Sequence, residues 1–283
     1  MAWSVETRGT RIAVVLGTIV TLVFLYVPLA VVVIYAFNDS VAQAWPPQGF
    51  TTKWFQLAIG DESMRSSIWY SVKIGAVATA IALLLGSAAS FAVHRFAFFG
   101  RQAVSLLLVL PIALPGIITG MALSSGINTF EIPFSLWTIM IGHSTFCIVV
   151  VFNNVVARLR RTPTSLMEAS MDLGADGWQT FRHVTFPAIG TALVAGALLA
   201  FALSFDEIIV TNFVSGSEVT LPKWIFNAIR LPRNRPEANA VAALVMLLSL
   251  VPVYLAQRLS GGSEDVAGTR RPVDTDSSVA DVS

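Results

Sequence analysis

Charge and sulfur are both scarce in this chain. Asp, Glu, Lys and Arg make up only 12% of its 283 residues, and the formal net charge is +1. So small a basic excess gives a nucleic acid nothing to hold. The single cysteine, Cys147, excludes an internal disulfide and a Cys-based zinc site, and its place in an apolar run predicts a packing role. No G-x-x-x-x-G-K-[ST] phosphate loop is present, and none of the three lysines, Lys53, Lys73 and Lys223, follows a glycine-rich turn. The chain is therefore not expected to bind ATP in that manner. Neither a G-x-S-x-G elbow nor an internal repeat is evident.

What is abundant is apolar sequence. Hydrophobic residues make up 55% of the chain and the mean hydropathy is strongly positive, outside the range of soluble domains. A bilayer core about 30 Å thick needs roughly 20 apolar residues of helix. Six runs qualify: 12–37, 67–93, 103–126, 135–157, 188–214 and 238–257. The first follows a short charged lead, MAWSVETRGTR, and lacks a small-residue cleavage site, so a retained span is expected rather than a signal peptide. Lys73 stands near enough to the start of the second to snorkel outward. Pro111 and Pro115 in the third remove backbone donors and predict a kinked or broken helix.

Basic residues favour the cytoplasmic side. With the N-terminus inside, Arg8, Arg11, Arg95, Arg101, Arg158, Arg160, Arg161, Arg182, Arg258, Arg270 and Arg271 lie inside. Lys53, Arg65, Lys223, Arg230, Arg233 and Arg235 lie outside, four of them in the loop 215–237, which runs against the trend. Both termini are expected in the cytoplasm. The outer loop 38–66, rich in Trp and Phe, is expected at the membrane interface, and the Ser-, Gly- and Asp-rich segment 260–283 is expected to be a disordered cytoplasmic tail. Small residues recur every four positions as Ala82, Gly86 and Ser90 and as Gly116, Gly120 and Ser124. Such stripes let helix backbones approach closely, within the chain or against a second membrane subunit.

One long inside loop is polar: residues 168–187 read EASMDLGADGWQTFRHVTFP. Ser165 and Glu168 have capping-box spacing, and Leu166, Ala169, Ser170 and Leu173 then share one helical face. Gly174 suits a left-handed helix end, and Asp176 can cap a second short helix through Trp178, Phe181 and Val184 that gives way to the next span at Pro187. The loop thus reads as a helix-turn-helix on the cytoplasmic face, docked on a protein partner or lying on lipid headgroups.

The pattern E-A-S-x-x-x-G, nine residues, V-T-F-P resembles the EAA motif of ABC importer permeases: E-A-A, three residues, G, nine residues, I-x-L-P. Ser170, Val184 and Phe186 depart from it modestly. LPIALPGIITGMAL at 110–123, IGHSTFCIVVVFNNVVARL at 141–159 and ALLAFALSFDEIIVTNFVSG at 197–216 extend the likeness to the spermidine/putrescine branch. The resemblance implies the type I ABC importer permease fold: an all-α integral membrane protein of the bacterial inner membrane, with six transmembrane helices in residues 1–259 and a cytoplasmic coupling helix in the loop 158–187. It places the ATPase contact on Glu168, Ala169, Gly174 and Pro187, with Asp172 on the same segment. It also implies three partners: a cytoplasmic ATPase that uses ATP and magnesium, a second homologous permease and an extracytoplasmic solute-binding protein. This chain would bind no cofactor and catalyse no reaction. The cargo would be a polyamine, with ferric iron or a phosphonate as the sister-branch alternatives.

Asp206 and Glu207 are the acids inside the fifth span. A carboxylate at the bilayer centre costs roughly 2.5 to 3.5 kcal/mol, so such groups face a cavity or a partner. On a continuous helix the two would point about 100° apart, so at most one faces a pathway fully. Either could receive a cationic solute, or pair with a basic residue. His143 has no second ligand at metal spacing and is expected to be a buried hydrogen-bonding residue. Its neighbour Ser144 diverges from it on a helix, which disfavours an intramembrane hydrolase. A secondary transporter driven by an ion gradient is disfavoured by the missing repeat and by the EAA loop.

Overall fold

The computed structural model describes residues 8–96 and 98–261. Among these residues the chain is helical, its one β feature being an isolated antiparallel bridge between Asn38 and Phe50. The first span is α1, Arg8–Ala36. The outer loop folds over the short α2, Lys53–Gly60, where the Trp54 indole N–H donates to the Asn38 carbonyl at 2.8 Å and Lys53 pairs with Asp39. Asp61 accepts from the Ser63 amide at 2.7 Å and so caps α3, Glu62–Arg95.

The third span is broken, as its prolines predict. Helix α4, Arg101–Ala113, accommodates Pro111 internally and stops before Pro115, which opens α5, Gly116–Thr129. Leu114 is extended, the conformation a following proline imposes. Helix α6, Leu136–Arg161, is the fourth span. The polar loop holds α7, Thr164–Asp172, and α8, Gly177–Thr180. A π-turn, Phe181–Thr185, joins α8 to α9, Phe186–Asp206. Short helices α10, Ile209–Val214, and α11, Leu221–Arg230, lead to α12, Arg235–Gly261, the sixth span. Among the described residues four helices are long and apolar enough to cross a membrane unaided: α1, α3, α6 and the continuous run from Gly177 to Asp206. The expected tail 260–283 lies outside the described residues except for its first two positions, which end α12.

The core is the junction of α3, α6 and α9. Ile74, Ala78 and Ala82 of α3 meet Ile139, Cys147, Val151 and Val155 of α6 and Ile189 and Ala200 of α9, all buried. Cys147 packs as expected, its thiol donating to the Ala200 carbonyl at 3.3 Å. Both small-residue stripes serve packing within the chain. A Cβ on Gly86 would stand 2.8 Å from the Ile148 carbonyl oxygen of α6, and Ser90 donates to the Phe152 carbonyl at 3.0 Å. A Cβ on Gly120 would stand 2.5 Å from the Phe213 ring of α10. In lipid, where burying apolar surface drives little association, such close backbone approach is what holds helices together.

Candidate functional site

The first site candidate is the polar loop, which the structure builds as a knob. The capping box expected at Ser165 and Glu168 is absent. Pro163, extended at φ −61° and ψ 132°, precedes the first helical residue, Thr164, so Ser165 already lies inside the helix and no side chain caps it. Proline can start the helix two residues early because its fixed φ is preorganised for entry. The other end forms as the sequence predicts. Gly174 adopts φ +89°, its amide donates to the Met171 carbonyl at 2.9 Å, and the Ala175 amide donates to Ser170 at 3.1 Å. These two bonds are the Schellman arrangement, which returns the chain on itself. Asp176 then caps α8 by accepting from the Gln179 amide at 2.7 Å, while Gln179 Oε1 accepts from the Asp176 amide at 3.0 Å. A 2.8 Å bond between the Ser170 and Thr180 hydroxyls clasps α7 to α8.

Glu168, Ala169 and Asp172 are all exposed on α7, with Gly174 at its turn. Beside them stand Leu166, Met171, Leu173 and Trp178, with Leu173 90% exposed. Pro187 is exposed in the first turn of α9. The expected second short helix does not end there; α8 runs through the π-turn into α9 without a break. Proline has no N–H to give the carbonyl four residues back, and its ring crowds that carbonyl. The π-turn just before it widens the helix, the Phe186 amide reaching five residues back to Phe181. Two ties anchor this junction to the bundle: Arg158 Nε donates to the Ala188 carbonyl at 2.8 Å, and the Phe181 ring packs edge-on to Phe91 of α3 at 5.4 Å.

The second candidate lies at the other end of α9, and here the structure corrects the sequence reading. Asp206 and Glu207 do not share a continuous helix. Helix α9 ends at Asp206, Glu207 is extended at φ −76° and ψ 114°, and α10 begins at Ile209. The Glu207 carboxylate accepts from the Ile209 and Val210 amides at 2.7 and 2.9 Å, filling two of the donors that the start of α10 leaves open. Behind the break, His143 of α6 is fully buried. Its Nδ1 lies 2.8 Å from the Ser204 hydroxyl and its Nε2 2.9 Å from that of Thr211, which donates in turn to the Glu207 carbonyl at 2.8 Å. This chain of bonds pins α6, α9 and α10 together across the gap and gives His143 the buried bonding role expected of it. Asp206 is exposed and holds no hydrogen bond or ion pair among the described residues. Ser204 and Thr211 carried no sequence signal, because hydroxyls are common in spans. Glu207 carried one that was missed, since an acid standing two and three residues before open amides is a helix-start pattern.

Beyond α10, Lys223 donates to the Ser215 hydroxyl at 2.7 Å; burial pushes its ammonium below the ordinary lysine range, against the opposing pull of Glu218.

Comparison with known proteins agrees with this geometry. Residues 81–261, well over half of the chain, match the model of the binding-protein-dependent transport system inner membrane component family. The putrescine transport system permease protein PotI of Escherichia coli K12 is 35% identical over 249 residues, covering 83% of this chain and 87% of its own. The spermidine/putrescine transport system permease protein PotC of the same strain is 32% identical, covering 84% of this chain and 89% of its own. A putative 2-aminoethylphosphonate permease, PhnV of Salmonella paratyphi A, is 27% identical over 92% of this chain and 96% of its own. Among solved structures, a bacterial ABC transporter that imports alginate superimposes with a TM-score of 0.68 at 14% identity, covering 88% of this chain and 98% of that one, and so shares the fold. The chain therefore belongs to the family of inner-membrane permease components of binding-protein-dependent ABC importers, and is a transport subunit rather than an enzyme.

Proposed function

We propose that this chain is the permease subunit of an ATP-driven polyamine importer, with Asp206 as the carboxylate that meets the passing cation. The observation that carries the reading is the division of labour at the break in the fifth span: Glu207 is committed to the α10 amides, while Asp206 is exposed and unpaired among the described residues. A lone carboxylate on an exposed helix end fits an alkylammonium, and two of the similar permeases are named for putrescine and spermidine. Energy enters at the knob. Glu168, Ala169, Asp172 and Gly174, with the apolar side chains around them, form the surface on which a partner ATPase docks, and that ATPase supplies ATP and magnesium chemistry. Pro187 acts through the π-turn rather than at the contact. A second homologous permease completes the pathway and a solute-binding protein delivers cargo from outside, with both termini cytoplasmic and residues 1–259 forming one permease domain.

The test is uptake by the assembled transporter in proteoliposomes. Labelled putrescine or spermidine is expected to enter in an ATP-dependent way, and Asp206→Asn is expected to lower uptake about 10- to 100-fold, the worth of one charge-assisted hydrogen bond. Uptake of 2-aminoethylphosphonate with exclusion of polyamines would reassign the cargo, and wild-type uptake by Asp206→Asn would remove that residue from the pathway.

A further inference from the structure

A third polar feature, apart from the α7–α8 helix pair and the α9–α10 break, lies where three helix ends converge on the membrane face that carries α7. There α3 ends at Arg95, α4 starts at Arg101 and α6 ends at Arg161. Arg101, Gln102, Ser105 and Arg160 line a cavity of about 320 Å³ floored by buried Val93, space for roughly ten waters. Its lining offers two guanidiniums, an amide and a hydroxyl, and no carboxylate. Neither arginine forms an ion pair among the described residues. His94 lies in the field of both guanidiniums. Helix α4 adds its own open amides, for Gly100 at its N-cap provides no side-chain acceptor and the first turn holds no acid.

The surroundings say where an anion would come from. Phe96, Phe98 and Phe99 are exposed in the turn that precedes α4, Phe99 completely, and Leu106 and Leu107 are exposed on the helix itself. Apolar side chains of this size beside two arginines place the cavity at the boundary between acyl chains and headgroups. We propose that this cavity binds the phosphate of an anionic phospholipid, with the Arg101 and Arg160 forks on the phosphate oxygens and the acyl chains along the exposed leucines of α4. The planar guanidinium suits a phosphate by paired N–H···O bonds, and an anion between the two arginines removes their mutual repulsion.

The test uses the assembled transporter. It is reconstituted in phosphatidylcholine nanodiscs with and without phosphatidylglycerol, and retained lipid is counted by native mass spectrometry. The double variant Arg101→Gln/Arg160→Gln is expected to retain phosphatidylglycerol about thirtyfold less tightly than wild type, the sum for two surface arginines. It is also expected to melt like wild type in phosphatidylcholine alone, and Arg230→Gln at the opposite membrane face serves as the unaffected control. Equal retention by variant and wild type overturns the proposal. So does a melting shift in detergent that inorganic phosphate alone reproduces, which would mark a soluble-anion site. Loss of the ATPase from the variant with lipid retention unchanged overturns it too, assigning the arginines to the partner.

Discussion

His143 shows how much a single buried side chain can hold. Both ring nitrogens are engaged, by Ser204 on α9 and Thr211 on α10, and the ring is fully buried against Phe146. Removing it strips the Ser204 hydroxyl of its partner, leaves Thr211 only its bond to the Glu207 carbonyl, and opens a cavity. His143→Ala is therefore expected to lower stability by about 2–4 kcal/mol, read as a drop in melting temperature in detergent. The glycines divide by what stands opposite them. Gly86 faces a backbone carbonyl that cannot swing aside, so Gly86→Ala is expected to cost about 1–3 kcal/mol in the same measurement. Gly17 on α1 has open space around it, so Gly17→Ala should be neutral or slightly stabilising, because alanine is the better helix former by about 1 kcal/mol. The sequence showed small residues in register but could not choose between a partner chain and this one, because spacing carries no information about which helix lies opposite.

At the scale of elements, the two broken spans differ in how legible they were. The break between α4 and α5 was readable because proline forbids the bond it interrupts. The break between α9 and α10 was not, because nothing in ALLAFALSFDEIIV forbids a continuous helix; the gap is held open by a carboxylate cap and by a histidine arriving from another span. That difference yields a contrast between neighbours. Glu207→Ala removes the cap of α10 and is expected to cost about 0.5–2 kcal/mol of stability, whereas Asp206→Asn should leave melting within about 0.5 kcal/mol of wild type and act on transport alone. If both variants shift the melting temperature equally, the division of labour is wrong. The missed start of α7 has a similar origin. Ser165 and Glu168 satisfy the capping pattern, but Pro163 two residues earlier satisfies a competing one and wins.

At the scale of the molecule, all six runs of apolar sequence fall on helices, and among the described residues four of these are long and apolar enough to cross a membrane unaided, because a bilayer makes length and hydropathy decisive. The outward face of the polar loop was only half legible. Its helix, turn and second cap could be placed residue by residue, but that Leu166, Met171, Leu173 and Trp178 remain uncovered is a fact of the folded chain. Leu173→Asp is expected to abolish co-purification of an ATPase with this chain while leaving its melting temperature unchanged, since the side chain packs against nothing within the fold. Retention of the ATPase by that variant would put the docking surface elsewhere.

The unbroken passage from α8 through the π-turn into α9 makes the knob and the fifth span one piece of material. From Gly177 to Asp206 it comprises 30 residues, about 45 Å at the usual helical rise. A force applied to Trp178 need not pass through a flexible joint before it reaches Asp206. The rod is held at both ends, by Phe91 and the Arg158 tie near its base and by the His143 bond to Ser204 near its tip. A displacement of the knob therefore reaches the far carboxylate only together with α6, the helix bonded to its tip.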